Sequence, residues 1–274
     1  MLNKAVTKVS FYVVAHADDW QLFMFPNGYK DLVASDCKTI IIITTAGDAG
    51  REEVYWRARE EGIKSSLLFC LAPLGVLSQS NGSKEFNGHN INYWSINNTV
   101  CYFLRLPDGN LDGKGFSTFN FQSLTKFKSG ELSTLATVDK ATTYHNWPDF
   151  YKTLQMIILS ETVDLSCIWV NYLNPDADTN PHDHADHIAT GQALQAMPII
   201  TSLQQALYTG YNIGNTLGEL HPADLFWKMG MFAAYEKAVF DSCGYSTLQE
   251  GIQTYIKWCL KSAHFSTVAP NVQK

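Results

Sequence analysis

The chain has 274 residues, of which 46% are hydrophobic and 13% aromatic, so a sizeable buried core can form. Its formal net charge of −6 provides no basic field, which argues against nucleic acid as a partner. No stretch reaches the roughly 18 consecutive apolar residues that span a bilayer, so we expect no membrane partner.

The six cysteines are widely spaced, and none forms a Cys-x-x-Cys pair. Most lie in apolar runs, which predicts buried free thiols and a reducing compartment. The first apolar run ends at a histidine and two acids, which is typical of a core strand and not of a signal peptide. We therefore expect a cytoplasmic protein.

The N-terminal part alternates between strand-like and amphipathic segments. In chain order these are a strand over 8–15, helical segments over 18–25 and 29–34, a strand over 38–45 and a helix over 51–68. The second strand is continuously β-branched, as in parallel strands that are buried on both faces. This order predicts an α/β, Rossmann-like fold with a mostly parallel sheet and helices on both faces.

The rest of the chain continues this pattern after one polar interruption. Residues 73–94 are rich in Gly, Asn and Ser, which predicts a surface loop or hairpin insertion with 80–83 at its tip. The further predicted elements are a half-exposed strand over 97–106, a weak helix over 119–135, a helix over 149–159, strands over 164–172 and 206–211, helices over 188–197, 222–240 and 246–261, and a frayed tail over 266–274. With no linker or repeat, the sequence predicts a single domain over residues 1–274.

The first strand delivers His16, Asp18 and Asp19 to its carboxyl end, where open α/β sheets place their ligands. His16 and Asp19 are three residues apart, so on a turn both side chains can point at one centre. Asp18 lies between them and must point elsewhere. These residues form one half of a predicted site.

The other half follows the strand predicted over 164–172. His182, His184 and His187 fall within six residues there, and the last two repeat the three-residue spacing. Because both halves follow carboxyl ends of the same sheet, we expect them to meet at one edge. Nitrogen and carboxylate ligands at this spacing suit a zinc ion with an open coordination position.

At these two segments the chain resembles the zinc-dependent N-acetylglucosaminyl deacetylases, the LmbE-like or PIG-L family. That family carries AHPDDE at the end of its first strand and HPDH later, where this chain has AHADDW over 15–20 and HADH over 184–187. TTAGDAG over 44–50 and RARE over 57–60 also fit the family pattern. The resemblance covers roughly the first 70 residues and the segment near 180–197, in the same order.

The resemblance implies one Zn²⁺ per chain, held by His16, Asp19 and His187. It also implies that Asp18 is the catalytic base and that His184 stabilises the developing oxyanion. From the residues alone, Asp18 could instead be a helix N-cap, and His184 could pack or hydrogen-bond within a loop.

Four further residues are assigned: Asp186 by a common arrangement around metal-binding histidines, and Asp48, Arg57 and Asp108 by position relative to the family motifs. Asp186 orients a zinc-binding histidine or caps the helix that begins there. Asp48, Arg57 and Asp108 contact the sugar, or each serves in a surface salt bridge or a turn.

Two residues depart from the family pattern. Ala17 replaces a proline, which loosens the turn but removes no ligand. Trp20 replaces a glutamate, so any hydrogen bond from that acid to the metal ligands is missing or is supplied elsewhere.

The implied function is zinc-dependent removal of an N-acetyl group from an N-acetylated amino sugar or its conjugate, a small-molecule substrate. Two alternatives stay open: a zinc hydrolase of a non-acetyl or non-sugar amide, and a catalytically impaired sugar- or metal-binding protein. The pair Gly47 and Gly50 lacks the first glycines of a dinucleotide-binding loop, and no Gly-x-Ser-x-Gly elbow occurs. The sequence leaves the oligomeric state open.

Overall fold

The computed structural model describes residues 5–162, 165 and 167–270. Its strands are β1 (Lys8–Val14), β2 (Cys37–Thr45), β3 (Gln79–Phe86), β4 (His89–Ile96), β5 (Thr99–Leu106), β6 (Leu135–Ala136), β7 (Thr143–Tyr144), β8 (Cys167–Leu173), β9 (Gln204–Tyr208) and β10 (Phe265–Val268). Its α-helices are α1 (Asp19–Phe23), α2 (Asn27–Val33), α3 (Glu53–Leu71), α4 (Leu124–Ser129), α5 (Trp147–Glu161), α6 (Ala185–Gln195), α7 (Pro222–Cys243) and α8 (Leu248–Cys259). Short 3-10 helices cover Ala72–Leu74, Ser117–Phe119, Ile200–Ser202 and Tyr211–Asn215.

An eight-stranded sheet forms the centre of the molecule, in the order β10-β9-β8-β1-β2-β5-β4-β3. The five strands from β9 to β5 are parallel, whereas β10 at one edge and the β3–β4 hairpin at the other pair antiparallel. Helices cover both faces of this sheet. The predicted Rossmann-like α/β class is therefore confirmed.

The side chains of β1 point alternately to the two faces of the sheet, and each set packs into a separate core. Tyr12 and Val14 pack into a core that includes residues of α1, α3, α7 and α8. Phe11 and Val13 point to the opposite core, which includes residues of α5 and α6. Both faces of β1 are thus buried, and the ionisable residues of the predicted site follow directly after its carboxyl end.

The polar insertion after α3 is a hairpin and not a surface loop. β3 and β4 pair antiparallel, and Asn87 and Gly88 form the tip with positive φ angles. The expected tip, residues 80–83, lies within β3. β5 is mostly buried because this hairpin extends the sheet beyond it, so the expectation of a half-exposed strand is also wrong.

The C-terminal tail was expected to fray from residue 266 on, but 265–268 form β10 against β9. Phe265 stacks on Tyr208 of β9 with ring centroids 4.9 Å apart, which gives this short strand an apolar anchor. Residues 271–274, and the predicted strand start at 164, lie outside the described residues. The predicted strand over 206–211 ends at Tyr208, and the weak helix over 119–135 is reduced to α4.

All six cysteines lie within the described residues and are free thiols, as predicted; four are buried, whereas Cys167 and Cys243 are only half-buried. Over the ranges that the structure describes, no helix combines the length and apolarity needed to cross a membrane. The cytoplasmic location stays a prediction.

Candidate active site

The turn after β1 brings His16 and Asp19 together. The backbone N–H of His16 donates to Asp19 Oδ2 at 2.8 Å, which aims the second carboxylate oxygen at the histidine ring. Asp19 Oδ1 lies 3.5 Å from His16 Nδ1, and both side chains are buried. Local backbone geometry therefore builds this half of the site.

His187 of α6 completes a triangle of ligand atoms. Its Nε2 lies 3.2 Å from His16 Nδ1 and 3.1 Å from Asp19 Oδ1. A tetrahedral zinc ion with bonds of about 2.0–2.1 Å separates its ligand atoms by about 3.3–3.4 Å. The separations of 3.1–3.5 Å thus fit a zinc ion, and the three residues assigned as its ligands are together.

Asp183, which the sequence reasoning left unassigned, contacts the other nitrogen of His187. Asp183 Oδ1 lies 3.0 Å from His187 Nδ1. Burial lowers the pKa of His187, but the Asp19 and Asp183 carboxylates outweigh that effect and raise it to about 10. The four-residue spacing on the edge of a helix was the available signal, because residues i and i+4 are neighbours there.

Asp186 lies beside His16 and not beside His187. Asp186 Oδ2 is 3.5 Å from His16 Nε2 and accepts a hydrogen bond from the Gly109 N–H at 2.8 Å. His16, Asp108, His184 and Asp186 make a second group with ligand-type atoms within 4.8 Å of one another. His16 therefore has an acidic neighbour at each ring nitrogen.

His184 is the N-cap of α6, a role that the sequence reasoning had given to Asp186 as an alternative. Its Nδ1 accepts a hydrogen bond from the Asp186 N–H at 3.1 Å, so in the neutral ring the proton is on Nε2. Burial, together with the charges of His16 and His187, lowers the pKa of His184 well below its usual value. His184 therefore presents an uncharged Nε2–H donor to the cavity.

Asp18 forms an ion pair with Arg59, through Asp18 Oδ1 and Arg59 Nη2, and both residues are buried. Asp18 occupies the N-cap position of α1, as the alternative predicted, but within the described residues its side chain makes no cap hydrogen bond. Arg59 is itself fixed by the Tyr235 hydroxyl and the Gly47 carbonyl, each at 2.7 Å. Arg59 thereby holds Oδ1 of Asp18, whereas Oδ2 makes no hydrogen bond or ion pair with the residues that the structure describes.

Arg57 was expected to contact the sugar, but it is Arg59 that faces the site. Arg57 is exposed and pairs with Glu53 one helical turn away, at 2.5 Å. Arg59 lines the cavity. Two residues correspond to about 200° around a helix, so only one of the two arginines can face the site.

Asp48 and Asp108 also differ in their surroundings. Asp48 is fully buried outside the cavity wall and accepts the N–H groups of Asp108 and Gly50 at 2.7 and 2.9 Å. Burial and the nearby Asp108 carboxylate raise the pKa of Asp48 to about 7. Asp108 lines the cavity, and its oxygens also accept N–H groups of its own loop and of Ala49. Of the two, only Asp108 can reach a ligand.

Two residues of the ligand triangle, His16 and Asp19, line a cavity of about 300 Å³ with both polar and apolar wall residues, whereas His187 is not part of its wall. The wall residues are His16, Asp18, Asp19, Leu22, Phe23, Ala49, Arg59, Asp108, Asn110, Leu111, Phe116, His184, Tyr211, Tyr255 and Trp258. Tyr211 packs edge-on to His187 with ring centroids 5.1 Å apart and stacks on Trp258 at 4.6 Å. Trp258 Nε1 donates to the Tyr211 carbonyl at 3.0 Å, which locks this aromatic wall. No motif in the sequence had indicated this aromatic wall.

The two departures from the family pattern lie next to this cavity but do not enter its wall. Trp20 is fully buried in the core, and its indole N–H finds no hydrogen-bond partner in the part of the chain that the structure describes. Ala17 is also buried. His182, which the sequence left without a role, lies in an exposed turn with a φ of 58°.

No family model matches the chain, and no curated protein matches its sequence. Among solved structures, the N,N'-diacetylchitobiose deacetylase from Pyrococcus horikoshii is similar at 14% identity over 95% of this chain and 84% of that one, with a TM-score of 0.45. A zinc-inhibited form of teicoplanin deacetylase is similar at 12% identity over 97% and 100%, with a TM-score of 0.45.

The 4-carboxy-2-hydroxymuconate hydratase from Pseudomonas putida is similar at 11% identity over 97% of this chain and 98% of that one, with a TM-score of 0.39. Two of these structures are thus named as deacetylases and one as a hydratase. Such low identities and scores do not assign a function, and we infer it from the side chains of the site.

Proposed function

We propose that the chain is a single-domain, zinc-dependent amidohydrolase that removes an N-acetyl group from an N-acetylated amino sugar or its conjugate. The observation that carries this proposal is the convergence of His16 Nδ1, Asp19 Oδ1 and His187 Nε2 within 3.1–3.5 Å, beside two further polar side chains of the same cavity. Three protein ligands leave one position of a tetrahedral zinc ion open, which is the arrangement of catalytic zinc sites.

A zinc ion held by these three residues would supply Lewis acidity and lower the pKa of water toward about 7. Asp18 is the residue placed to move protons, because Arg59 holds its Oδ1 and leaves Oδ2 for the attacking water. The same oxygen can return the proton to the leaving amine. A single carboxylate thus serves as base and then as acid.

His184 stabilises the negative charge that develops on the acetyl oxygen. The N-cap hydrogen bond fixes Nδ1 as an acceptor, so Nε2 carries the proton and acts as the donor. A fixed donor in a water-poor cavity is more effective than the same group in solvent, because it needs no reorganisation during the reaction. The apolar wall of Phe23, Tyr211 and Trp258 excludes water from this side.

Asp108 and Asn110 line the cavity without a role in the proposed chemistry, and their polar side chains can contact sugar hydroxyls. A cavity of about 300 Å³ is at the lower end of the range for small-molecule sites, which suits one sugar unit. Asp48 and Arg57 lie outside this wall, so we do not assign them to the substrate.

Metal analysis of the purified protein, followed by assays of acetate release from a panel of N-acetylated amino sugars, tests the proposal. We expect one zinc per chain, and activity that is lost on chelation and restored by zinc. Release of longer acyl groups, or hydrolysis of non-sugar amides alone, would favour the other zinc hydrolase. Sugar binding without hydrolysis of any substrate would favour the impaired binding protein.

A further inference from the structure

The carboxylate of Asp183 is buried in a way that needs an explanation. Its Oδ1 lies 3.0 Å from His187 Nδ1 and accepts the Tyr211 N–H at 3.1 Å. Its Oδ2 is buried and has no hydrogen-bond partner among the described residues. His187 is also the only basic side chain of this part of the chain within 4.0 Å of the carboxylate. Burying a carboxylate with so few partners is costly, and such cost is typical of groups with a function.

We propose that Asp183 is the positioning residue of the metal centre: it fixes the ring of His187 as a ligand and joins that ligand to the aromatic wall of the cavity. The inference rests on the proposed zinc site. It concerns a residue outside both recognised motifs.

The first part of the proposal follows from the two nitrogens of one ring. When Nδ1–H of His187 donates to Asp183, the lone pair of the neutral ring is on Nε2, the atom that faces His16 and Asp19. A carboxylate on the far nitrogen also makes the ligand nitrogen more basic. Asp183 therefore selects both the tautomer and the direction of the ligand.

Gly210 shows how closely the backbone surrounds this carboxylate. A Cβ atom at Gly210 would lie 2.2 Å from Asp183 Oδ2, so the position has no room for a side chain. Its φ of −83° lies outside the left-handed region, and the contact rather than the backbone conformation requires glycine. The Gly210 N–H is itself held by Asn180 Oδ1 at 3.1 Å. The Asp183 carboxylate is thus confined to one position.

The second part follows from the second hydrogen bond to the same oxygen. Tyr211 begins a 3-10 turn and is one residue of the aromatic wall, with its ring 5.1 Å from His187 and 4.6 Å from Trp258 of α8. A shift of the Asp183 oxygen would therefore displace the metal ligand and the wall together. Asp183 Oδ1 therefore supports both the metal ligand His187 and the wall residue Tyr211.

The decisive experiment compares zinc affinity of Asp183→Asn with wild type, by competition with a chromophoric chelator added to the metal-free full-length protein. Asparagine keeps an oxygen for both N–H donors but removes the charge. We expect zinc binding to weaken by about 10–100-fold, with the unfolding midpoint of the metal-free form little changed. Asp176→Asn is the matched control, since Asp176 is an exposed acid of the same loop, and it should bind zinc like wild type.

A measurement on the unmodified protein covers the case in which the variant does not fold. Histidine ¹⁵N spectra of the zinc-loaded wild type should show His187 bound through Nε2 and protonated on Nδ1. Ligation through Nδ1, or an Asp183→Asn variant with zinc affinity within about threefold of wild type, would overturn the inference. Zinc binding without acetate release would instead contradict only the proposed function.

Discussion

His16 and Asp19 belong to one turn, whereas His187 is positioned by residues from distant parts of the chain. The first pair needs only the end of β1 and one backbone hydrogen bond, from His16 N–H to Asp19. His187 depends on Asp183, which in turn is enclosed by Gly210 after β9 and hydrogen-bonded to Tyr211. One half of the site is therefore local in sequence, and the other is a product of tertiary structure.

This difference predicts that substitutions near the two motifs impair the site in different ways, although the motifs look alike in sequence. A change within the first half removes a ligand or a base directly. A change around the second half can leave every ligand present and still misdirect it. The following substitutions test this contrast, from the largest expected effect on the chemistry to the smallest.

Asp19→Ala removes the only carboxylate of the ligand triangle and should have the largest effect. We expect zinc affinity to fall by more than about 100-fold, beyond the range of an orienting residue, and acetate release to be lost. Chelator competition and metal analysis measure this. Asp112→Ala, in an exposed pair with Lys114, is the control. A full equivalent of tightly bound zinc in Asp19→Ala would contradict the proposed ligand set.

Asp18→Asn should separate chemistry from metal binding within the first half. The substitution removes the proton acceptor but leaves His16, Asp19 and His187 in place. We expect kcat to fall by about 10²–10⁴-fold while zinc affinity changes little. Steady-state kinetics at saturating zinc give the result, and a variant with wild-type kcat would exclude Asp18 as the base.

His184→Asn tests the second half without removing its helix cap. Asparagine can accept the Asp186 N–H as His184 does, but it lacks the Nε2–H donor of the ring. We expect kcat to fall by about 10²–10³-fold. His221 caps α7 with the same geometry through the Ala223 N–H, so His221→Asn is the matched control and should retain activity. Equal activity losses in both variants would point to capping alone.

Asp48→Asn should affect catalysis least, because Asp48 lies outside the cavity, and it should instead change the pH dependence of stability. The fold raises the pKa of Asp48 to about 7, so it favours the protonated acid, and this stabilisation is lost as pH rises toward 7. Between pH 5 and 8 we expect the unfolding free energy of wild type, relative to Asp48→Asn, to fall by about 3 kcal/mol. Urea unfolding of the metal-free proteins measures this difference, and parallel pH profiles would contradict it.

The sequence was sufficient where the determining contacts are local. The strand before His16, the three-residue spacing to Asp19 and the start of α6 near His184 can all be read from hydrophobic pattern and motif. The choice between Arg57 and Arg59 could not, because it depends on which face of α3 meets the sheet. A shift of one residue along a helix changes the face from which a side chain projects.

Two of the remaining misses have the same physical origin. The proposed role of Asp183 depends on β9, which brings Gly210 and Tyr211 to it, and β10 pairs with β9, where Phe265 stacks on Tyr208. In both cases the partner lies more than 25 residues away along the chain, and the local sequence pattern does not indicate it. The hairpin over 79–96 joins the sheet through β5, which follows it directly, but its polar composition masked the strand pattern.

The aromatic wall has a practical consequence for work on shortened forms of this protein. Tyr255 and Trp258 belong to α8, close to the C-terminal end of the chain. Truncation before that helix would preserve both histidine–aspartate motifs but remove two residues of the cavity wall, and we expect it to open the cavity to bulk water. A sequence search for the two motifs would still accept such a fragment, although it would lack the shielding that the proposed hydrolysis requires.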